Sequence, residues 1–180
     1  MKKRIFIVID IADEAKRELL SYEKRWRNLS IKWTNFYKMR VTFEFLGQVD
    51  RKGLESITIA CQNAVSILKP FHIRLDKIML GPDLVQAKMI WGMIHIDSNI
   101  LQLQEIIHEE LVKQDFNLEE TSFKPHIVLA RARGNQLKGK KTNVILKNLR
   151  FKASGIEIME SQLRPNIEKY KLIESFEFKE

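Results

Sequence analysis

A chain of 180 residues, 44% apolar and 30% charged, can bury a core without disulfides or a structural metal, and its one cysteine, Cys61, excludes an intrachain disulfide. No run approaches the roughly 18 apolar residues of a membrane span, and Met1-Lys-Lys-Arg running into IFIVIDI is too short for a secretory leader, so a cytoplasmic protein of one domain, undivided or in two lobes, is expected. The formal net charge of +8 favours a polyanionic partner, nucleic acid above all, the alternative being a generally well-solvated basic surface.

Taken in chain order, RIFIVID (Arg4–Asp10) reads as a buried strand. From Asp13 to Leu29 the positions Leu19, Leu20, Trp26 and Leu29 recur near helical spacing, with Asp10 or Asp13 as the cap. RVTFEFLG (Arg40–Gly47) alternates and reads as a strand ended by Gly47. Lys52–Leu68 carries Leu54, Ile57, Ala60, Cys61, Ala64, Val65 and Leu68 on one helical face before Pro70, and Cys61 there simply packs. FHIRLDKIML and MIWGMIHI read as strands joined through GPD, and Asn99–Phe116 as an amphipathic helix through Leu103, Ile106, Ile107 and Leu111. HIVLA is a strand, a short helix could follow it, and GIEIMESQL with YKLIESFEF closes the chain as an antiparallel pair. Helices separated by strand pairs predict an α+β sandwich with mostly antiparallel sheets.

Two short strands echo one another, RVTFEFLG in the first half and HIVLARAR in the second. Strict alternation puts Arg40, Thr42 and Glu44 on one face, with Val41, Phe43 and Phe45 on the apolar one. His126 and Val128 likewise share a face, opposite Ile127 and Leu129. If the halves pack as pseudo-equivalents, an imidazole, a guanidinium and a hydroxyl converge, a set suited to phosphate.

These blocks resemble the two-histidine phosphoesterase superfamily, specifically its RNA 2',3'-cyclic phosphodiesterases, also called 2'-5' RNA ligase-like proteins. RIFIVIDI is similar to the family's opening strand, WTNFYKMRVTFEFLGQVD to its first His-x-Thr block, FKPHIVLARAR to its second, and IEIMESQLRPNIEKYKLIESFEF to its closing pair. The resemblance implies one two-lobed domain over residues 1–180, with pseudo-symmetric lobes of mostly antiparallel sheet, helices on the outer faces and an active cleft between them. It implies opening of a 2',3'-cyclic phosphate to a 2'-phosphate, with no metal and no cofactor, by a monomer. The implied partner is RNA with a 2',3'-cyclic or phosphorylated end, or a small cyclic nucleotide.

The sequence departs from that pattern twice. Counted from Trp33 without a gap, Arg40 stands at the first histidine position and Val128 at the second hydroxyl position. His126, Thr42 and Arg40 are thus the candidate catalytic residues, and Arg40, Thr42, Arg131 and Arg133 the candidate substrate-binding residues. Arginine stays protonated and cannot be a base, but it can hold a phosphoryl oxygen. Loss of one acid–base group costs roughly 10²–10⁴ in rate, so reduced activity is expected; the rival reading is a non-catalytic RNA-end or phosphate binder on the same fold.

Each residue has a plainer reading: a locally bonded strand-end histidine for His126, a solvated edge charge for Arg40, β propensity for Thr42. His72, His95 and His108 are the other imidazoles that could replace the missing one, and Trp33 could stack a base or wall the core. KGKK (Lys138–Lys141) adds loop charge. GNQLKGKK (Gly134–Lys141) is similar to a phosphate-binding loop, but Lys141 stands where Ser or Thr would bind magnesium. No Cys/His cluster has metal-ligand spacing.

Overall fold

The computed structural model describes residues 2–83, 86–118, 123–140, 142–164 and 167–179. The chain runs β1 (Lys3–Asp10), α1 (Asp13–Ser21), β2 (Lys32–Trp33), β3 (Arg40–Val49), α2 (Arg51–Ile67), β4 (Phe71–Gly81), β5 (Met89–Ile94), α3 (Ser98–Lys113), β6 (His126–Arg131), β7 (Asn143–Ile145), β8 (Arg150–Ala153), β9 (Gly155–Arg164) and β10 (Ile167–Glu177). One antiparallel sheet has the order β10-β9-β1-β3. The other runs β2-β6-β5-β4-β7, with β8 pairing the first part of β4. The α+β architecture matches the expectation from sequence.

The two long helices form where caps and apolar spacing agree. Asp50 accepts the Gly53 amide at 2.9 Å and opens α2, which buries Ile57, Ala60, Cys61, Ala64 and Val65. Asp97 accepts the Ile100 amide at 3.0 Å and opens α3, which buries Ile100, Leu103, Ile107 and Leu111. Both helices feed one core with Ile5, Ile7 and Ile9 of β1 and with Ile73, Leu75, Ile78 and Leu80 of β4. Each such side chain contributes about 1.5–3 kcal/mol over exposure. Among the described residues no helix is long and apolar enough to cross a membrane.

Three sequence expectations are corrected. The first helix ends at Ser21 and gives way to a 3₁₀ segment over Tyr22–Trp26; the Ser21 hydroxyl donates to the Glu18 carbonyl at 2.7 Å, in competition with the helical ladder. Neither Asp10 nor Asp13 caps that helix: Ala12 precedes it with no side-chain cap, and Asp10 accepts the Ile11 amide instead. In place of a short helix after β6 come a turn and then β7 and β8, which cover the edge of the 11-residue strand β4.

Strand β3 also outruns its predicted end. Gly47 has φ +65°, which a residue with a Cβ rarely adopts, and the strand continues through it to Val49. A register shift between Ile7 and Val8 sets Thr42 opposite Val8 and Glu44 opposite Ile7, so Phe43 is an extra residue. The faces therefore do not alternate strictly along β3. Phe43 remains in the core, Glu44 turns toward His108 of α3 at 3.5 Å, and Phe45 joins the face that carries Thr42.

Candidate active site

The two sheets approach each other through β3 and β6, where Phe43 stacks on Phe123 with ring centroids 5.5 Å apart. On β3, pairing with β1 defines the face opposite the helices: Arg40 opposite Asp10, Thr42 opposite Val8, Phe45 opposite Phe6. Val8 in turn faces Glu157 of β9. The face thus runs from a charged corner at Arg40 to an aromatic patch at Phe45.

At the corner the Arg40 Nη1 donates to Asp10 Oδ1 at 2.7 Å and to the Met39 carbonyl at 2.9 Å. Its Nε points at Glu157 Oε2, 3.6 Å away and beyond hydrogen-bond range, and is buried without a partner. Asp10 Oδ1 also holds Lys16 Nζ at 2.9 Å, with Asp13 3.7 Å away. Two cations therefore sit among three carboxylates. Burial pushes the Glu157 carboxyl above its usual range, and the Arg40 charge pulls it back. Asp10 and Glu157 also line a cavity of about 370 Å³ with Lys152, Ser154 and Ser175.

On β6, Ile127 and Leu129 are buried in the core, while His126 and Val128 point the other way, half-buried. The His126 ring lies against Trp91 of β5, centroids 3.8 Å apart and planes 26° off parallel. Its Nδ1 is 2.7 Å from the Lys124 carbonyl. A carbonyl only accepts, so Nδ1 carries the proton and Nε2 keeps its lone pair. Burial lowers the His126 pKa, the Lys124 bond opposes this, and the Arg131 charge lowers it further. A neutral imidazole with its free nitrogen presented is the form a general base requires.

Arg131 faces Met89 across the ladder and donates to its sulfur at 3.0 Å. A second register shift, between Ile90 and Trp91, keeps Arg131 on the His126 face. Arg133 lies past the strand and is exposed, in a turn tied down by Gln136, which accepts the Arg133 amide and donates to the Ser30 carbonyl. Gly134 and Gly139 have positive φ in that turn, but β7 follows rather than a helix, so it lacks the helix N-terminus of a phosphate-binding loop. Lys138 and Lys140 are exposed there; Lys141 of the basic loop and Ser122 of the motif segment lie outside the described residues.

The remaining imidazoles are placed elsewhere. His72 is exposed on β4 opposite Lys152, His95 bonds Asp76 at 2.9 Å, and His108 pairs with Glu44. Trp33 packs against Trp26, centroids 5.9 Å apart. Among the described residues no group of three or more His, Cys, Asp or Glu is arranged to hold a metal ion. Sequence reading missed Trp91, Asp10 and Glu157: they meet His126 and Arg40 only through strand pairing, and the one local signal was Trp91's place in the strand IWGMI.

No protein-family model matches the chain. An RNA 2',3'-cyclic phosphodiesterase of Methanocaldococcus jannaschii is 26% identical over 178 residues, covering 96% of this chain and 99% of the relative. A second RNA 2',3'-cyclic phosphodiesterase, of Thermotoga maritima, is 24% identical over 132 residues, covering 72% of this chain and 70% of the relative. Solved structures share the LigT-like fold: TT0787 of Thermus thermophilus superposes with a TM-score of 0.88 at 20% identity, over 97% of both chains. E. coli LigT complexed with 3'-AMP superposes with a TM-score of 0.85 at 15% identity, over the full length of both. The LigT-like fold is therefore kept from end to end while most side chains differ.

Proposed function

We propose that this protein hydrolyses the 2',3'-cyclic phosphate end of RNA to a 2'-phosphate, without a metal ion, with His126 as general base. The observation that carries the reading is the placement of His126: its ring is held by Trp91 and its Nδ1 by the Lys124 carbonyl, which leaves Nε2 without a partner among the described residues. Water attacks phosphorus, its proton passes to Nε2, and the bond from phosphorus to the ribose 3'-oxygen breaks. The leaving oxygen takes a proton from solvent, and His126 then releases its own. Thr42 Oγ1 and the Nη2 edge of Arg40, which has no partner among the described residues, hold phosphoryl oxygens, and Arg131 adds positive charge. Val128 adds no donor. With Arg40 at the first histidine position no side chain there protonates the leaving group, so turnover is expected roughly 10²–10⁴ below that of a site with both imidazoles. The 3'-AMP complex of E. coli LigT supports a ribonucleotide, single or at an RNA end, as ligand.

One observation favours the rival reading of a non-catalytic RNA-end binder: Arg40 is tied to two carboxylates, which weakens its pull on a third anion. The two readings separate on a short RNA with a cyclic 3' end, followed chromatographically in chelator. Slow formation of a 2'-phosphate that His126→Ala abolishes supports the enzyme. Turnover unchanged by His126→Ala removes the mechanism, and binding without turnover in wild type selects the binder.

A further inference from the structure

The first part of β4 pairs with β8, and the side chains that these strands turn outward are basic. Ile73 and Leu75 of β4 and Phe151 and Ala153 of β8 are buried in the core. His72, Arg74, Arg150 and Lys152 therefore point the other way, and all four are exposed. The register sets the guanidinium groups of Arg74 and Arg150 directly opposite each other, and His72 opposite Lys152. Like charges placed so on a ladder destabilise the pairing. Of the four, only Arg74 has an ion-pair partner among the described residues: Asp76, 3.3 Å away, which His95 also holds at 2.9 Å.

The patch lies on the side of the sheet that carries His126. His126 faces Met93 of β5, and Met93 faces Lys77 of β4, on the side away from Ile78 and Leu80 of the core. Lys77 is thus about 10 Å across the sheet from His126, and Arg74 is about 10 Å farther along β4. A row of anions relieves repulsion between facing cations, and a phosphodiester backbone is such a row. Continuity with the His126 face favours a strand laid along the sheet over a flat anionic surface such as a membrane. We infer that Lys77, Arg74, Arg150 and Lys152 form a track for backbone phosphates of single-stranded RNA, upstream of the end bound at His126. Which end lies at His126 rests on the functional reading above; contact between the patch and RNA does not. Phosphate contacts carry no base information, so the track adds affinity with strand length rather than with sequence.

The test is binding of two labelled oligoribonucleotides with a 3'-phosphate, a dodecamer that spans the track and a dinucleotide too short to reach it, titrated across salt. In the double variant Arg150→Gln/Lys152→Gln the slope of log K against log salt for the dodecamer should flatten by about 1.4, ~0.7 for each lost phosphate contact. The dinucleotide should bind wild type and the double variant alike. An unchanged slope for the dodecamer overturns the track, as does an equal loss with the dinucleotide. An equal loss in Arg51→Gln/Lys52→Gln, which removes the same charge from the start of α2, also overturns it. So does unchanged RNA binding by the double variant together with lost binding to phosphatidylserine vesicles, which would assign the patch to a membrane. Turnover of a cyclic-ended RNA, measured separately on wild type, judges the hydrolase reading: an inert wild type whose dodecamer slope still flattens in the double variant defeats that reading and leaves the track standing.

Discussion

The His126 ring lies nearly face to face with Trp91, centroids 3.8 Å apart, and Trp91 in turn covers Gly81, where an added Cβ would run into the indole. The glycine is needed for this close approach, and through Trp91 it fixes where the imidazole stands. The chain of contact predicts that Gly81→Ala displaces the indole and lowers kcat by up to about 10²-fold, the scale of a 1 Å misplacement. A rate equal to wild type, with the variant folded by circular dichroism, would show that the stack does not position the base.

The pH dependence follows from His126. Burial and the Arg131 charge hold its pKa below the usual 6.5. The base works when neutral, so the rate should rise with pH and level off with a midpoint below 6.5. Stability runs in the same sense. The unfolded chain takes up this proton at the ordinary histidine value, so the folded state loses ground as pH falls from about 6.5 to the lowered value. Arg131→Ala removes one depressing charge and should move the midpoint upward. A rate profile whose acid limb is unmoved in Arg131→Ala would separate that limb from His126.

Arg40→His tests the first-motif position. Asp10 and Glu157 would flank the new ring, and opposite charges favour its protonated form, so the substitution supplies an acid where hydrolysis lacks one. Turnover of cyclic-ended RNA should rise by roughly 10²–10⁴. No gain, in a variant as stable to urea as wild type, would mean that position 40 does not face the scissile phosphate.

Cys61 is buried in α2, and its thiol is pushed up to about 12, first by burial and then by the nearby Glu174 charge. The thiolate is the reactive form. Native protein at pH 8 should therefore resist maleimide, with labelling appearing only through the urea transition. Stoichiometric labelling of native protein would show the core of α2 to be open.

Much of this molecule could be read from its residues, but unevenly. The apolar spacing of α2 and α3 and their caps at Asp50 and Asp97 are local signals, and these helices came out to within a few residues at either end. The opening and closing strands were legible for the same reason, runs of apolar and alternating residues. What failed depended on contacts between strands distant in sequence. Alternation alone put Glu44 with Thr42 and Phe45 in the core; a register shift against β1 reverses both. The partners of Arg40 come from β1 and β9, more than a hundred residues apart, and no spacing rule connects Asp10 with Glu157. β7 and β8 were lost because strands of three and four residues carry too little pattern to stand out from a loop.

The extra residue at Phe43 carries one more consequence. It sets the phase of Glu44 and Phe45 only, because a second register shift between Ile5 and Phe6 makes Leu46 extra and changes the phase again before Gly47. Removing Phe43 would leave Thr42 opposite Val8, Glu44 opposite Ile7 and Phe45 opposite Phe6, a strictly alternating ladder that keeps both faces and loses only the ring stacked on Phe123. A one-codon deletion at Phe43 should therefore cost core packing while Glu44 stays at His108 and Phe45 stays on the Thr42 face.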